Sequence, residues 1–263
     1  MVSSLFGYSS LNAATVRNLT TSLSKINSSL ARLSSGTRVN RAADEPAGLA
    51  VISRLEQALT ANGRASNNVG DASSALAITD GAVSQIQGLS SRMQELAVQS
   101  ANSLFTDHQR GALKSEYDSL NQEIQRITQT TEFNGIKLLD GSSTQVQIGA
   151  DGSAASTLII GGIDLESGIA QLSAVNIGTQ GGAQAAIGTI QNFARELSIQ
   201  LSSAIGAAQS RLDSISTGLS NQSVSQRESL SRIADADIAA EQSSYLRNSI
   251  LAQSGASLLA QSS

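Results

Sequence analysis

Apolar residues recur at alternating intervals of three and four along the first part of the chain. The positions between them hold mainly serine, asparagine, threonine, lysine and arginine. This spacing is typical of an amphipathic helix with a narrow apolar seam. The seam is formed by Val16, Leu19, Leu23, Ile26, Leu30 and Leu33. It fits both a helix that packs on a globular core and one strand of a coiled coil, and these residues alone leave both interpretations open.

The seam stops at residues 34–36, and the only proline of the chain, Pro46, follows it. Asp44 is predicted to cap a helix that begins at Pro46, because an Asp side chain accepts hydrogen bonds from the free amides of a first turn. Proline is itself well tolerated in that turn. We interpret residues 34–48 as a joint between two helices.

Two further helices are predicted after the joint. One runs from Pro46 to about Leu104, with its clearest seam at residues 83–96, and the other shows the same alternation at residues 113–127. The first would be roughly 80 Å long if unbroken, which favours a rod over a ball. Four glycines weaken it, and we interpret them as places where neighbouring helices could pack closely. These are Gly63, Gly70, Gly81 and Gly88.

The middle of the chain changes character. Residues 145–148 alternate polar and apolar side chains, residues 149–152 supply turn residues, and residues 157–160 resemble a returning strand. Asn134-Gly135, which ends the preceding helix, is also a turn signal. A small β-hairpin region is therefore predicted over about 136–178.

Helical periodicity returns from Ala183 to Leu219, and one irregular step at Ala208 predicts a local unwinding of the supercoil. A last amphipathic stretch carries Leu246, Ile250 and Leu258. The predicted fold class is mainly α: a long antiparallel helical coiled-coil rod built from both chain termini, with a small β-hairpin region in the middle. Two ends that each carry a seam favour pairing with each other or with other copies.

The composition of the 263 residues argues against an enzyme. The chain has no cysteine and a single histidine, His108, so a disulfide scaffold, a thiolate metal site and a multi-histidine metal site are excluded. We predict His108 to lie in a surface loop and predict no catalytic, cofactor-binding or metal-binding residues. A net charge of −4 and 3% aromatic residues argue against a nucleic-acid partner, and no apolar run is long enough to cross a membrane.

Six segments, in order and spread over almost the whole chain, resemble the bacterial flagellins. They are SLSKIN at 22–27, LARLSSGTRVN at 30–40, QELAVQSAN at 94–102, EFNGIKLL at 132–139, SRIADAD at 231–237 and LAQSGASLLAQ at 251–261. No single segment is specific, but together they are. The resemblance implies a coiled-coil core domain from residues 1–44 and 235–263. It also implies a helical rod domain over 45–234 that carries the hairpin, with no outer variable domains.

The resemblance implies a structural protein, the subunit that polymerises into the flagellar filament. The alternative in the same axial family is a hook–filament junction protein. A secreted hydrolase lacks a credible catalytic constellation, and a generic coiled-coil adhesin would not explain the order of the segments. The implied polymerisation seam comprises Val16, Leu19, Leu23, Ile26, Leu30, Leu33, Leu246, Ile250 and Leu258.

Flagellins are exported unfolded through a type III channel, so the resemblance implies a secreted, extracellular protein of the bacterial flagellum. The implied partners are further copies of the chain, an export chaperone at residues 235–263, and the filament cap and hook-junction proteins. No cofactor is implied.

The resemblance also implies recognition by the innate-immune receptor Toll-like receptor 5. Flagellins that activate it present an Arg and a Leu four residues apart on one rod helix, with a Glu from the next helix nearby. The matching residues are Arg92, Leu96 and Glu116, and the first two share a helix face. The heptad pattern, however, places Leu96 with the inward-facing residues Leu89 and Met93. Arg92 is therefore the better residue to test.

Overall fold

The computed structural model describes the backbone of residues 2–262 and the side chains of residues 13–261. Within that range the chain is mainly helical with two small antiparallel sheets, which confirms the predicted fold class. The elements are α1 (Val2–Ser35), α2 (Pro46–Ala101), α3 (Asp107–Thr130), β1 (Glu132–Phe133), β2 (Ile136–Lys137), β3 (Thr144–Gln147), β4 (Thr157–Ile160), α4 (Glu166–Ala174), α5 (Gln180–Gln200), α6 (Ala207–Ala234) and α7 (Ile238–Ser262).

The chain divides into two compact units. The terminal unit joins the residues up to Thr60 with those from Ser223 onward, and the central unit is Ala61–Gln222. The sequence segments suggested division at 44/45 and 234/235, where the helices break. The observed boundaries fall inside α2 and α6, because the first turns of α2 and the last turns of α6 pack with the linkers of the terminal unit.

Helix α2 is one continuous helix of 56 residues. It begins at Pro46, so Glu45 and not Asp44 is the residue before it, which corrects the predicted cap. The Asp44 carboxylate instead accepts hydrogen bonds from the amides of Asn40 and Arg41, at 3.3 and 3.0 Å, and closes a turn. The four glycines singled out in the sequence, Gly63, Gly70, Gly81 and Gly88, do not mark close helix packing. They are exposed, and a Cβ at any of them would meet no atom within 4 Å.

The core of the central unit is built from the predicted seams of α2, α3 and α5. Its fully buried members include Val83, Ile86, Met93 and Leu96 on α2, Tyr117 and Ile124 on α3, and Ile190 and Leu197 on α5. The hydroxyl of Tyr117 donates to the carbonyl of Leu172, 3.1 Å away on α4. Burial raises the pKa of Tyr117 to about 12, because a phenolate would lose its hydration there.

The turn between α2 and α3 is organised by a buried arginine. Arg110 donates to the carbonyls of Ser100, Asn102 and Phe105, the last two at 3.1 and 2.9 Å. Two of these carbonyls lie at the C-terminal end of α2, where helical partners run out. His108 lies in the first turn of α3 and is exposed, so the predicted surface position is right but the predicted loop is wrong.

The β region is more varied than the sequence suggested. Strands β3 and β4 lie within one residue of the predicted pair, with Val146 opposite Leu158. A second hairpin, β1–β2, is closed by Asn134 and Gly135, whose φ angles are 52° and 79°. Such left-handed angles suit Asn-Gly. Helix α4 lies inside the stretch predicted as β, because the buried pair Ile169 and Leu172 has helical spacing.

A π-helical segment, Leu201–Gly206, separates α5 from α6. It lies just before the irregular step predicted at Ala208. Each π turn accommodates an extra residue, so the apolar stripe slips by one position. The slip keeps Ile205 and Leu212 buried on either side of the step.

Candidate assembly surface

Helices α1 and α7 pack side by side in the terminal unit and run antiparallel. Their inner faces carry small residues. Ser22, Ser29 and Ala252 are buried, and a Cβ placed on Gly255 would lie 3.9 Å from the Leu19 side chain. The small residues therefore let the two helices approach closely.

The six predicted seam residues of α1 divide into two rows. Leu19, Ile26 and Leu33 are half-buried beside α7. The other row, Val16, Leu23 and Leu30, lies three residues earlier in each case and remains 47–49% exposed. Ser22 and Ser29 occupy the buried positions that a single apolar seam would have filled. The sequence signal for the contact with α7 was the seven-residue interval between Ser22 and Ser29. The apolar periodicity does not include these serines.

Helix α7 exposes large apolar side chains on more than one side. The three predicted seam residues Leu246, Ile250 and Leu258 are 59–62% exposed, and Leu251 is exposed as well. A helix with apolar residues around its circumference is typical of one that is enclosed by neighbours. Together with Val16, Leu23 and Leu30, these residues form what we call the outer apolar surface of the terminal unit.

The two linkers of the terminal unit are fastened to each other. The amide of Arg38 donates to the carbonyl of Ala234 at 2.6 Å, and the amide of Ala236 donates to the carbonyl of Gly36 at 3.0 Å. The Arg38 guanidinium also donates to Glu45 and to the Ile233 carbonyl, both at 2.9 Å. We call this arrangement the linker clip. The predicted joint between the two helices thus also holds the second linker.

A small apolar cluster lies beside the linker clip. Val39, Ile52 and Ala234 are buried together. A salt bridge between Arg32 on α1 and Glu241 on α7, with 3.7 Å between nitrogen and oxygen, adds a polar contact near the same end of the helix pair. The bases of α1 and α7 are thus held in register.

The predicted receptor patch is only partly assembled. Arg92 donates to Glu116 through Nε and a terminal nitrogen, at 3.0 and 2.7 Å, and to Glu95 at 2.8 Å. The hydrogen bonds to Glu95 and Glu116 raise the pKa of Arg92 above its usual value. Leu96 is 1% exposed and belongs to the core, so it cannot contact a receptor directly. The accessible patch is Arg92, Glu95 and Glu116.

Among the described residues, no three His, Cys, Asp or Glu side chains are grouped closely enough to hold a metal ion. None of the described helices combines the length and apolar character needed to cross a membrane.

Two family models match the chain. Residues 8–144 match the bacterial flagellin N-terminal helical region, and residues 187–263 match the bacterial flagellin C-terminal helical region. A flagellin of Halalkalibacterium halodurans is 35% identical over 247 residues, which cover 93% of this chain and 90% of that protein.

Solved structures agree in fold. The crystal structure of Bacillus cereus flagellin is 25% identical and superposes with a TM-score of 0.52, covering 58% of this chain and 88% of that one. A flagellar hook-associated protein of Vibrio parahaemolyticus superposes with a TM-score of 0.61 over 73% of this chain and all of that one, but at 14% identity this is a likeness of fold alone. The family models span most of the chain and the sequence relative is matched along nine-tenths of its length, so this chain belongs to the bacterial flagellins.

Proposed function

We propose that this chain polymerises into the bacterial flagellar filament and that the outer apolar surface of α1 and α7 is buried between copies. The observation that carries the proposal is the exposure of Val16, Leu23 and Leu30 beside the exposed leucines of α7. Large apolar side chains exposed together on one compact unit mark an interaction site. Contacts between different faces of identical copies do not close and generate helical filaments.

Electron microscopy of the purified protein tests this proposal. Long helical filaments are expected from the chain alone. Short oligomers that only bind the ends of other filaments would instead support the alternative, a hook–filament junction protein. The sequence relatives favour the filament subunit, because a flagellin at 35% identity covers almost the whole chain.

Export and assembly require further partners in this proposal. The chain is exported and functions outside the cell, and a chaperone holds residues 235–263 before export. The support is that α7 exposes Leu246, Ile250 and Leu258, which would aggregate if left uncovered in the cell. The filament cap and the hook-junction proteins meet the same surface at the two ends of the filament.

The terminal helices are expected to gain most of their protection on polymerisation. The contact between α1 and α7 fully buries small residues, only half-buries Leu19, Ile26 and Leu33, and leaves the other large apolar side chains exposed, so it contributes little free energy against the entropy of ordering two long helices. Hydrogen exchange at residues 10–33 should be fast in the monomer and slow in the filament. Amides at residues 83–96 of the central core serve as the control and should be slow in both. Equal, strong protection of residues 10–33 in the two states would contradict the idea.

Toll-like receptor 5 is a second proposed partner. The support is that Arg92, Glu95 and Glu116 form one exposed hydrogen-bonded group on two neighbouring helices, which is a suitable polar anchor for a receptor surface. Packing between copies is the primary role we propose for this face, and receptor binding is secondary.

Arg92→Ala should reduce receptor signalling by the monomer while its thermal melt stays nearly unchanged, because the Arg92 ion pairs lie at the surface. The matched control is Arg126→Ala, which removes another exposed arginine paired with a glutamate on α3. If both variants signal as strongly as the unsubstituted chain at every concentration, Arg92 is not a receptor contact.

A further inference from the structure

Leu104 is the most exposed large apolar side chain that the structure describes, at 86%. It lies in the turn between α2 and α3, and this turn is held firmly. The Leu104 amide donates to the Asn102 side chain at 3.0 Å, and Arg110 binds the carbonyls on both sides of Leu104, those of Asn102 and Phe105. The side chain of Thr106 caps α3 immediately afterwards. Leu104 is thus a rigidly presented apolar knob.

An apolar cavity of about 70 Å³ opens elsewhere on the central unit, between α2 and the two hairpins. It has the volume of roughly two water molecules, a space suited to the end of one branched aliphatic side chain. Its apolar walls include Ala72, Leu76, Ile136, Leu138, Ile163 and Ile205. Thr79, Ser142 and Thr144 also line the cavity, but most of its wall is apolar, so water finds few polar partners in it.

The cavity is shaped by backbone that has little freedom. A Cβ on Gly162 would lie 2.4 Å from the carbonyl carbon of Gly141, so only glycine fits there. Ile136 lines the cavity and is itself 51% exposed, which places it at the mouth. The opening therefore faces solvent and stays accessible in the single chain.

Leu104 cannot fill the cavity of its own chain. The cavity touches α2 no further along than Thr79, and the helix ends at Ala101. At ~1.5 Å per residue these points are roughly 33 Å apart on one continuous helix. The knob and the cavity nevertheless belong to the same compact unit, so every copy presents both, at a fixed separation.

We propose that Leu104 of one copy inserts into this cavity of a neighbouring copy. The inference rests on the proposed polymerisation and names a contact within it. A knob and a cavity at different places on one molecule form a heterologous contact, and repetition of that contact stacks copies in a line. The occupant is a second copy because every chain carries one such knob and one cavity of matching apolar character, and the two cannot meet within a chain.

The chain contains no cysteine, so the contact can be tested by engineered disulfides. A chain carrying both Leu104→Cys and Ile136→Cys should form a ladder of cross-linked oligomers when assembled filaments are oxidised. Disulfides require Cα atoms about 4.4–6.8 Å apart, and the cavity ends on α2 roughly 33 Å short of the end of that helix, so no bridge is expected within one chain. Each single variant should remain uncross-linked, and so should the mismatched pair Leu104→Cys with Ser119→Cys, which places the second thiol on the exposed face of α3.

A second arrangement keeps the test informative if the double variant assembles poorly. The two single variants are mixed, each at one part in ten, with unsubstituted chain, so that the filament forms from mostly native copies. A cross-linked dimer is expected from this mixture. Intact filaments that yield no cross-link in either arrangement, or equal cross-linking by the mismatched pair, would overturn the contact. Failure of the unsubstituted chain to form filaments would be a failure of the proposed function, which the electron micrographs report separately.

Polymerisation of Leu104 variants tests the same contact without a cross-link. Leu104→Asp should leave the melting of the monomer unchanged, because the side chain is exposed there, and should raise the concentration needed for polymerisation tenfold or more. Leu104→Met should restore assembly. Normal polymerisation of Leu104→Asp would contradict the proposal.

Discussion

Filaments should not grow from a chain that carries Leu23→Asp, although the single chain should fold and be exported. Leu23 is 48% exposed and lies beside, not inside, the contact between α1 and α7, so the monomer loses little. In the proposed filament the same position is enclosed by neighbouring copies. An unpaired carboxylate buried among apolar side chains costs about 3–5 kcal/mol, and every copy would carry that cost.

The matched control is Thr21→Asp. It places the same charge on the exposed face of α1 that points away from Leu23, where the Thr21 hydroxyl donates to its own helix. Filament length by electron microscopy, and swimming of cells that express each variant, are the measurements. Ile26→Asp should also abolish filaments, but Ile26 is half-buried beside α7, so it also disturbs the helix pair. Normal swimming of the Leu23→Asp strain would contradict the model.

The largest loss of stability in the single chain is expected from Arg110→Met. The methionine would roughly fill the space but would leave the carbonyls of Ser100, Asn102 and Phe105 without donors in a buried site. Leaving one buried carbonyl without a donor costs about 1–3 kcal/mol, so the loss over the three carbonyls should reach several kcal/mol. For a unit of this size the melting temperature should fall on the order of 10 °C.

Calorimetry of the monomer measures this effect, and Arg126→Met is its control. Arg126 binds Glu123 on the exposed face of α3, so its loss should hardly change the melt. Because the Arg110 network also fixes the turn that presents Leu104, the Arg110→Met variant should polymerise poorly even below its melting temperature. A melt as high as that of the Arg126→Met chain would show that the carbonyls find other donors.

The long helices could be predicted from the sequence because their seams repeat over many turns. Leu113 to Ile127 and Ile190 to Leu219 need no tertiary information to be recognised as helical. The strand pair at Val146 and Leu158 was also within reach, since polar and apolar residues alternate there and glycines follow. The pattern of the chain thus carries most of the fold.

The details of the candidate surface were harder to predict from the sequence. The apolar seam of α1 gives six equivalent positions, and only the packing with α7 shows that Ser22 and Ser29 are buried while Leu23 and Leu30 are not. Which residues of α1 are buried depends on which face of α7 carries small residues. That dependence is visible only when segments more than 200 residues apart in the sequence are paired. Asp44 failed as a cap for a related reason, because its carboxylate closes a local turn with Asn40 and Arg41.

The linker clip also determines the order in which the two units of the chain can fold. Arg38 and Ile233, which it joins, are 195 positions apart in sequence, whereas the turn around Arg110 uses partners within ten positions. Loops that long close slowly and late. We therefore expect the central unit to fold first and the terminal unit to be completed last. In the proposed filament, a chain that lacks either end would then not present the finished surface to a growing polymer.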